Sequence, residues 1–216
     1  MNLRELNIKL TKESLKKETS RDILIIQTIH TIDELIKIIN TLTANLRERY
    51  GYYAPRAART EDPEKLLEAV NEKIREDIGL DLTSKDLNSI TEISNEIKNL
   101  IKFRISQEVY ISELTKEMCP NLDKAATTLI ASRLIDQAGS LKHLAELPSS
   151  TVQVLGAEKA LFRHLKTGSK APKFGIIFTH TNISKAAQGE KGKAARRLAS
   201  EISKAAKIDF FRDKHW

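Results

Sequence analysis

Between Asp22 and Tyr50 the chain carries a regular apolar series: Ile25, Ile29, Ile32, Ile36, Ile39, Thr43, Leu46 and Tyr50, at alternating spacings of four and three. Steps of that kind keep one face of a helix turned toward a partner, which is the seam of a coiled coil. Thr43 is the one polar interruption before Tyr50. Leu24, Ile26, Leu35, Ile38 and Leu42 widen the stripe, so a further surface is expected to pack against it. The stripe predicts pairing of two copies through Ile25, Ile29, Ile32, Ile36, Ile39 and Leu46.

A second long pattern, from Lys85 to Met118, places Leu87, Ile90, Ile93, Ile97, Leu100, Ile101, Tyr110, Ile111 and Leu114 on a helix whose register breaks around Arg104 and Gln107. Cys119-Pro120 ends it, because proline disfavours helix at the residue before it. Between the two helices, Gly51 and Pro55 interrupt the pattern. Pro63 then suits a first helical turn with Asp62 as its cap, an apolar face of Leu66, Leu67, Val70 and Ile74, and a stop at Gly79. Thr83 or Ser84 is placed to cap the next helix. Two long helices joined through a compact tip predict an antiparallel hairpin. Upstream, Leu3, Leu6 and Leu10 give a weak helical stripe. Downstream, Leu122, Ala126, Leu129, Ile130, Leu134 and Ile135 continue helical text with Asn121 or Asp123 as cap, divided at Gly139-Ser140 and closed by a loop at Pro148. The expected protein is all-α, with an entry segment (1–20), a coiled-coil helical arm (21–119) and a compact module (120–216).

That last module holds the charge. A helix over Gly156–Leu165 has apolar Ala160, Leu161 and Leu165 and a basic row of Lys159, Arg163 and Lys166. Gly168, Ser169 and Pro172 make the segment Thr167–Lys173 a mobile loop. An apolar run, Phe174–Phe178, and a polar tetrad, Thr179–Asn182, follow. A second basic helix starts near Lys191, with Lys193, Arg197, Lys204 and Lys207 on one face and Ala195, Leu198, Ile202 and Ala206 on the other. The whole chain has 36 Lys and Arg against 29 Asp and Glu, but residues 156–216 have 14 against 5 and residues 1–155 have 22 against 24. One basic helix is as readily a solvated face as a binding surface. Two basic rows flanking a Gly/Ser/Pro/Lys loop point instead to phosphate tracking and nucleic acid.

Other chemistry finds little support. With 5% aromatic and 30% charged residues and few glycines or prolines, the composition favours helices. Cys119, the single cysteine, excludes an intrachain disulfide and a Cys-rich metal site and reads as a small buried apolar residue. His30, His143, His164, His180 and His215 show no metal-ligand spacing, and GSKAP lacks the second glycine and the Lys-Ser/Thr of a P-loop. No catalytic residues, metal or cofactor are expected. No apolar run approaches the roughly 20 residues that span a bilayer and no signal peptide is visible, so a soluble intracellular protein without a membrane partner is expected.

The text QAGSLKHLAELPSSTVQVLGAEKALFRHLKT, followed by APKFGIIF and GEKGKAARRLA, resembles the Nop domain, essentially without gaps from Arg133 to Phe211. That domain is shared by nucleolar scaffold proteins of box C/D RNA–protein particles, their archaeal counterpart and a related splicing factor. The resemblance implies a non-enzymatic scaffold that grips a kink-turn guide RNA already held by a small kink-turn-binding protein related to a ribosomal protein, in support of RNA-guided 2′-O-methylation. Carried over by position, it places Gly156, Ala157, Glu158, Lys159, Arg163, Lys166 and Thr167 at that composite surface. Lys170, Lys173, Lys191, Lys193, Arg196 and Arg197 join them. Relatives carry a tyrosine–histidine pair where this chain reads Phe178-Thr179, with His180 one place later. A base-stacking role for His180 and a partly exposed loop histidine both stay open. The methyltransferase fibrillarin is implied as a partner only through an N-terminal domain that this chain is expected to lack. A homodimer through the coiled coil, and a nucleolar or archaeal cytoplasmic location, are further expectations. The alternatives are a splicing-type assembly factor, or a coiled-coil protein whose basic module binds polyanions without specificity.

Overall fold

The structure, a computed structural model, describes residues 2–18 and 21–212. Met1, Thr19 and Ser20 of the expected entry segment, and residues 213–216 with His215, lie outside the described residues. Every regular element among the described residues is helical, as the apolar periodicities require. The chain divides into two compact units, residues 30–109 and residues 1–29 with 110–216. Both divisions fall inside long helices, α2 (Asp22–Gly51) and α5 (Ser84–Met118). A preceding helix, α1 (Leu3–Glu18), leaves Leu3, Leu6 and Leu10 exposed.

In the first unit, α2 and α5 pack through a core that includes Ile39, Leu46, Tyr50, Ile90 and Ile97, joined by Leu66, Leu67 and Val70 of the tip. The tip contains α3 (Pro55–Ala58) and α4 (Pro63–Asn71). As the sequence suggests, Asp62 caps α4, its carboxylate accepting from the Glu64 N–H at 3.0 Å. Thr83 and Asp86 cap α5 reciprocally: the Asp86 N–H donates to the Thr83 hydroxyl, and the Thr83 N–H and hydroxyl donate to the Asp86 carboxylate. Those Thr83 hydrogen bonds hold the Asp86 carboxyl below its usual range. Gly79 is not a helix stop, because α4 has already ended at Asn71. It passes so close to Tyr53 that a Cβ would overlap that residue's carbonyl oxygen. Tyr50 is fully buried, its hydroxyl 2.8 Å from the carbonyls of both Ala69 and Ile74. Burial first, then Tyr53 and Glu76, push its pKa up to about 12.

The seam of α2 corrects one expectation. Ile25, Ile29, Ile32, Ile39 and Leu46 are already buried within the single chain, so they are core rather than a surface for a second copy. Ile36 is half-buried, and Leu35 takes the inward place instead. The exchange is local, because the repeat is buried again at Ile39, Thr43, Leu46 and Tyr50.

In the second unit the central element is α12 (Lys191–Phe211). It packs against α6 (Pro120–Ala126), α8 (Leu141–Glu146) and α9 (Ser149–Val154), with Ala195, Leu198, Ile202 and Ala206 inward as the pattern predicts. The helical text after Pro120 is divided at Gly139-Ser140 as expected, and also at Thr127, whose φ of 69° separates α6 from α7 (Thr128–Ala138). Neither Asn121 nor Asp123 caps α6. Its first free N–H groups, on Asn121 and Leu122, donate to the buried Asp209 carboxylate at 3.2 and 2.8 Å, and the Asn121 side-chain amide adds a third bond at 2.6 Å. Asp22 does the same for α8, accepting from the Leu141 N–H at 2.8 Å. Cys119 is wholly buried, and desolvation, followed by Asp209, Asp123 and Asp22, pushes its thiol up to about 12.

Two substitutions test this packing. Asp209→Ala leaves three donors unpaired at a buried helix start and is expected to cost about 2–4 kcal/mol in urea unfolding, with Asp209→Asn in between. Thr43 is the reverse case: its buried hydroxyl has no partner, so Thr43→Val is expected to raise stability by about 1 kcal/mol, read as a higher urea midpoint at unchanged slope.

Candidate nucleic-acid interface

The basic segment begins where α9 ends. Gly156 turns the chain with a φ of 85°, in the left-handed region that favours glycine. The Glu158 carboxylate folds back to accept from the Gly156 N–H at 2.6 Å, so the one acid of the GAEK stretch is occupied by its own turn. The helix that follows, α10 (Glu158–Thr167), has no buried residue. Lys159, Arg163 and Lys166 are exposed, as the spacing predicts. The apolar positions are a different matter. Ala160 and Leu161 are half-buried, but Leu165 is 71% exposed and Phe162 69%. A helix that shows water both its cations and its large apolar side chains is a surface rather than a core element.

The loop after α10 is tied at both ends. Gly168 closes the helix in the left-handed conformation, its N–H donating to the His164 carbonyl at 2.8 Å, and the His164 ring Nδ1 bonds the Ser169 carbonyl. At the far end the Gln153 side-chain amide donates to the Lys173 carbonyl at 2.6 Å. Between these ties Lys170 and Lys173 are exposed. A loop that composition marks as mobile thus has few backbone degrees of freedom left to lose on binding.

Past the loop the chain runs beside the end of α9: the Gly175 N–H donates to the Gln153 carbonyl and the Ile176 N–H to the Leu155 carbonyl, both at 2.9 Å. The approach is so close that a Cβ on Gly175 would overlap the Leu155 carbonyl oxygen. A 3-10 turn, Ile176–Thr179, then buries Ile177 and packs against α7, α9 and α12. Phe174 and Phe178 stack with ring centroids 4.7 Å apart and 9° between planes, and the Lys191 ammonium stands 5.4 Å over the Phe178 ring. This cluster was not read from the sequence, although the four-residue spacing of the two phenylalanines is its signal.

His180 departs from both readings of it. It is 8% exposed, and its Nδ1 accepts from the Asn182 N–H at 3.2 Å, capping α11 (Thr181–Ser184). A ring turned inward to cap a helix is not presented to a base, so His180 is a structural residue here. The second basic row behaves as predicted: Lys193, Arg196 and Arg197 are exposed near the start of α12, and Lys191 is half-buried against Phe178. Arg197 is only loosely paired with Glu201, at 3.9 Å with both side chains mostly in water, which leaves its charge available. Between α11 and α12 lies a groove of about 790 Å³, lined by Asn182, Glu190, Lys193, Arg197 and Glu201 among others. Its mixed charge suits it less to a polyanion than the rows beside it. Glu158, Ala157 and Thr167 serve the turn and helix ends, the Thr167 hydroxyl donating to the Arg163 carbonyl at 2.7 Å. Among the described residues no group of three or more His, Cys, Asp and Glu is placed to hold a metal ion. No helix among them is long and apolar enough to cross a membrane.

Known proteins share this text and this fold. The family described as "Nop: snoRNA binding domain, fibrillarin" matches residues 25–215. Nucleolar protein 56 of Mus musculus is 37% identical over 221 residues, covering 88% of this chain and 38% of its own length. An uncharacterised NOP5 family protein of Methanocaldococcus jannaschii is 34% identical over 232 residues, covering 94% of this chain and 56% of its own. A crystal structure of a fibrillarin/Nop5p complex contains a chain 26% identical to this one, with a TM-score of 0.58 over 97% of this chain and 70% of that one. The chain therefore spans less than two thirds of the length of these curated relatives.

Gly175→Ala is expected to push the turn off α9, since carbonyl and methyl cannot share the space, at a cost of about 1–3 kcal/mol. Hydrogen exchange should then show lost protection at residues 175 and 176 before any loss in α5.

Proposed function

The chain belongs to the Nop family, and on that premise we propose that it is a non-enzymatic scaffold of a box C/D small RNA–protein particle. Its ligand is composite: a kink-turn guide RNA together with the small kink-turn-binding protein that bends it. The observation that carries this reading is α10, where Phe162 and Leu165 stand exposed beside Lys159, Arg163 and Lys166. Phosphates alone reward the cations and leave about 70% of two large apolar side chains in water. A protein surface alone leaves the cation row without its anion. A partner that offers both at once satisfies the whole helix.

The cations of the tied loop, Lys170 and Lys173, and of α12, Lys193, Arg196 and Arg197, then track the RNA backbone, as Lys and Arg do wherever they hold phosphate. Fibrillarin, named with the structural relative, would join through a domain N-terminal to the region matched here. The relatives' nucleolar name supports a nucleolar place for a eukaryotic particle. Self-association through the arm belongs to the same proposal. It would use faces left outside the filled seam, where Ile38 is 44% exposed.

A gel shift on kink-turn RNA, with and without the kink-turn-binding protein, tests the composite surface. Binding that needs both components is expected; equal binding to any RNA makes the module a general polyanion binder. Leu165→Ala should weaken the ternary complex about tenfold, the scale of losing one well-packed apolar contact, and leave binding to bare RNA unchanged, since no charge is altered. Lys159→Ala, Arg163→Ala and Arg197→Ala should each lower the slope of log affinity against log salt by about one or less, with the thermal midpoint unmoved.

A further inference from the structure

The tip of the arm shows water several large apolar side chains. Tyr52 is 61% exposed, Ile78 74% and Leu80 60%. Connecting segments run over the surface and are ordinarily polar, so apolar side chains gathered on one mark a contact site. Their exposure is imposed by the backbone. The Leu80 N–H donates to the Tyr52 carbonyl at 2.7 Å, and the Gly79 N–H to the Glu76 carbonyl at 3.0 Å. Gly79 has no room for a Cβ against the Tyr53 carbonyl, Glu76 accepts from the Arg56 and Ala57 N–H groups, and Arg75 is paired with Asp81. A segment tied in this way cannot turn Leu80 inward, and it loses little freedom when a ligand seats on it.

Tyr52 and Leu80 belong to a groove of about 300 Å³, lined also by half-buried Leu82, buried Ile90, Arg49 and Asp86. That volume is at the low end for ligand sites and suits a few side chains of a peptide better than a globular surface. Its two charged groups are not equivalent. The Asp86 carboxylate accepts from the Thr83 N–H at 3.0 Å and the Thr83 hydroxyl at 2.6 Å, and it stands in the first turn of α5, where the helix dipole offsets its charge. Arg49 is exposed, and among the described residues no carboxylate is paired with it. The groove is therefore apolar with one uncommitted cation at its edge.

That charge pattern selects the occupant. One guanidinium opposed by a carboxylate is too little to track a phosphate backbone, which takes rows of cations. A two-fold contact of the groove with itself brings Arg49 toward its own copy and supplies no anion. We propose that the tip groove docks a short segment of a partner protein in which a large apolar side chain sits beside an aspartate or glutamate. The apolar side chain enters between Tyr52 and Leu80, and the carboxylate meets Arg49, whose planar fork accommodates both of its oxygens. The site is separate from the basic surface of α10 and α12 and does not depend on the RNA-binding reading.

The test pans a phage-displayed library of random peptides, about a dozen residues long, on the full chain with no RNA present. Enriched sequences are expected to join Leu, Phe or Trp to Asp or Glu. The strongest, made synthetically with a fluorescein label, is then titrated by anisotropy. Leu80→Ser and Arg49→Glu should each weaken it about tenfold or more, the scale of losing a central contact or reversing a charge. Both side chains are exposed, so the thermal midpoints should stay within about a degree or two of wild type. Replacing the acidic residue of the peptide with lysine should restore binding to Arg49→Glu and abolish it on the wild type. Panning that enriches nothing, or enriches sequences without an acid, overturns the proposal, and so does an unchanged affinity in Arg49→Glu. Sedimentation supplies the remaining arm: if Leu80→Ser turns an associated wild type into monomers, the groove is a contact between copies, which also overturns it. Because no RNA enters these measurements, each of these results leaves the RNA-binding reading standing, and a failed gel shift leaves this groove untouched.

Discussion

Short helices cannot satisfy their own beginnings, and in this chain distant carboxylates do it for them. The clearest pair are α3 and α6. Each opens with a proline that has no N–H to place, preceded by a residue, Ala54 or Cys119, whose side chain makes no capping bond. The next two N–H groups are the orphans. In α6 they donate to Asp209; in α3 those of Arg56 and Ala57 donate to Glu76 at 2.9–3.1 Å. Asp209 sits in the last turn of α12, where a negative charge opposes that helix's own dipole. The placement makes sense only from the side of α6, whose N-terminus gains what α12 gives up. Through Asp209, the helix that carries the second basic row is bonded to the start of the module that carries the first.

This division explains what the sequence made legible. Long elements announce themselves through many repeated choices: the isoleucines of α2 apart from Ile36, the inward Ala195, Leu198 and Ile202 of α12, and the local caps Asp62 and Thr83 fell where spacing put them. The basic rows were legible because exposed lysine and arginine at helical spacing need no tertiary knowledge. Asp209 was not, since its partner lies 87–88 residues away and no local pattern records it. The break at Thr127 was missed for the same reason, a positive φ at a β-branched residue being a tertiary decision.

The candidate surface shows the complementary failure. The apolar stripe of α10 was legible as Ala160, Leu161 and Leu165, but a stripe by itself does not say whether it faces a core or a partner. Phe162 and Leu165 remain outside. His180 differs in the other direction: whether as a base-stacking ring or as a partly exposed loop histidine it was to face outward, yet its ring serves a four-residue helix. Both cases turn on which neighbour satisfies a side chain, and sequence spacing alone is silent on that. The stacked phenylalanines belong with them, since their approach depends on a glycine pressed against the α9 carbonyls.

The burial of Cys119 has a practical meaning for anyone who would watch this protein assemble. Its thiol is the chain's only one, wholly enclosed and held protonated far above neutral pH, so alkylating dyes and spin labels have no thiolate to attack while the fold is intact. A cysteine introduced on α10 or in the tied loop would therefore be the single reactive handle on the molecule, with no native residue removed to make it so. Distance measurements by fluorescence transfer or electron resonance could then follow the basic surface directly, and any label appearing at residue 119 would itself report that the α6 end of the module had opened.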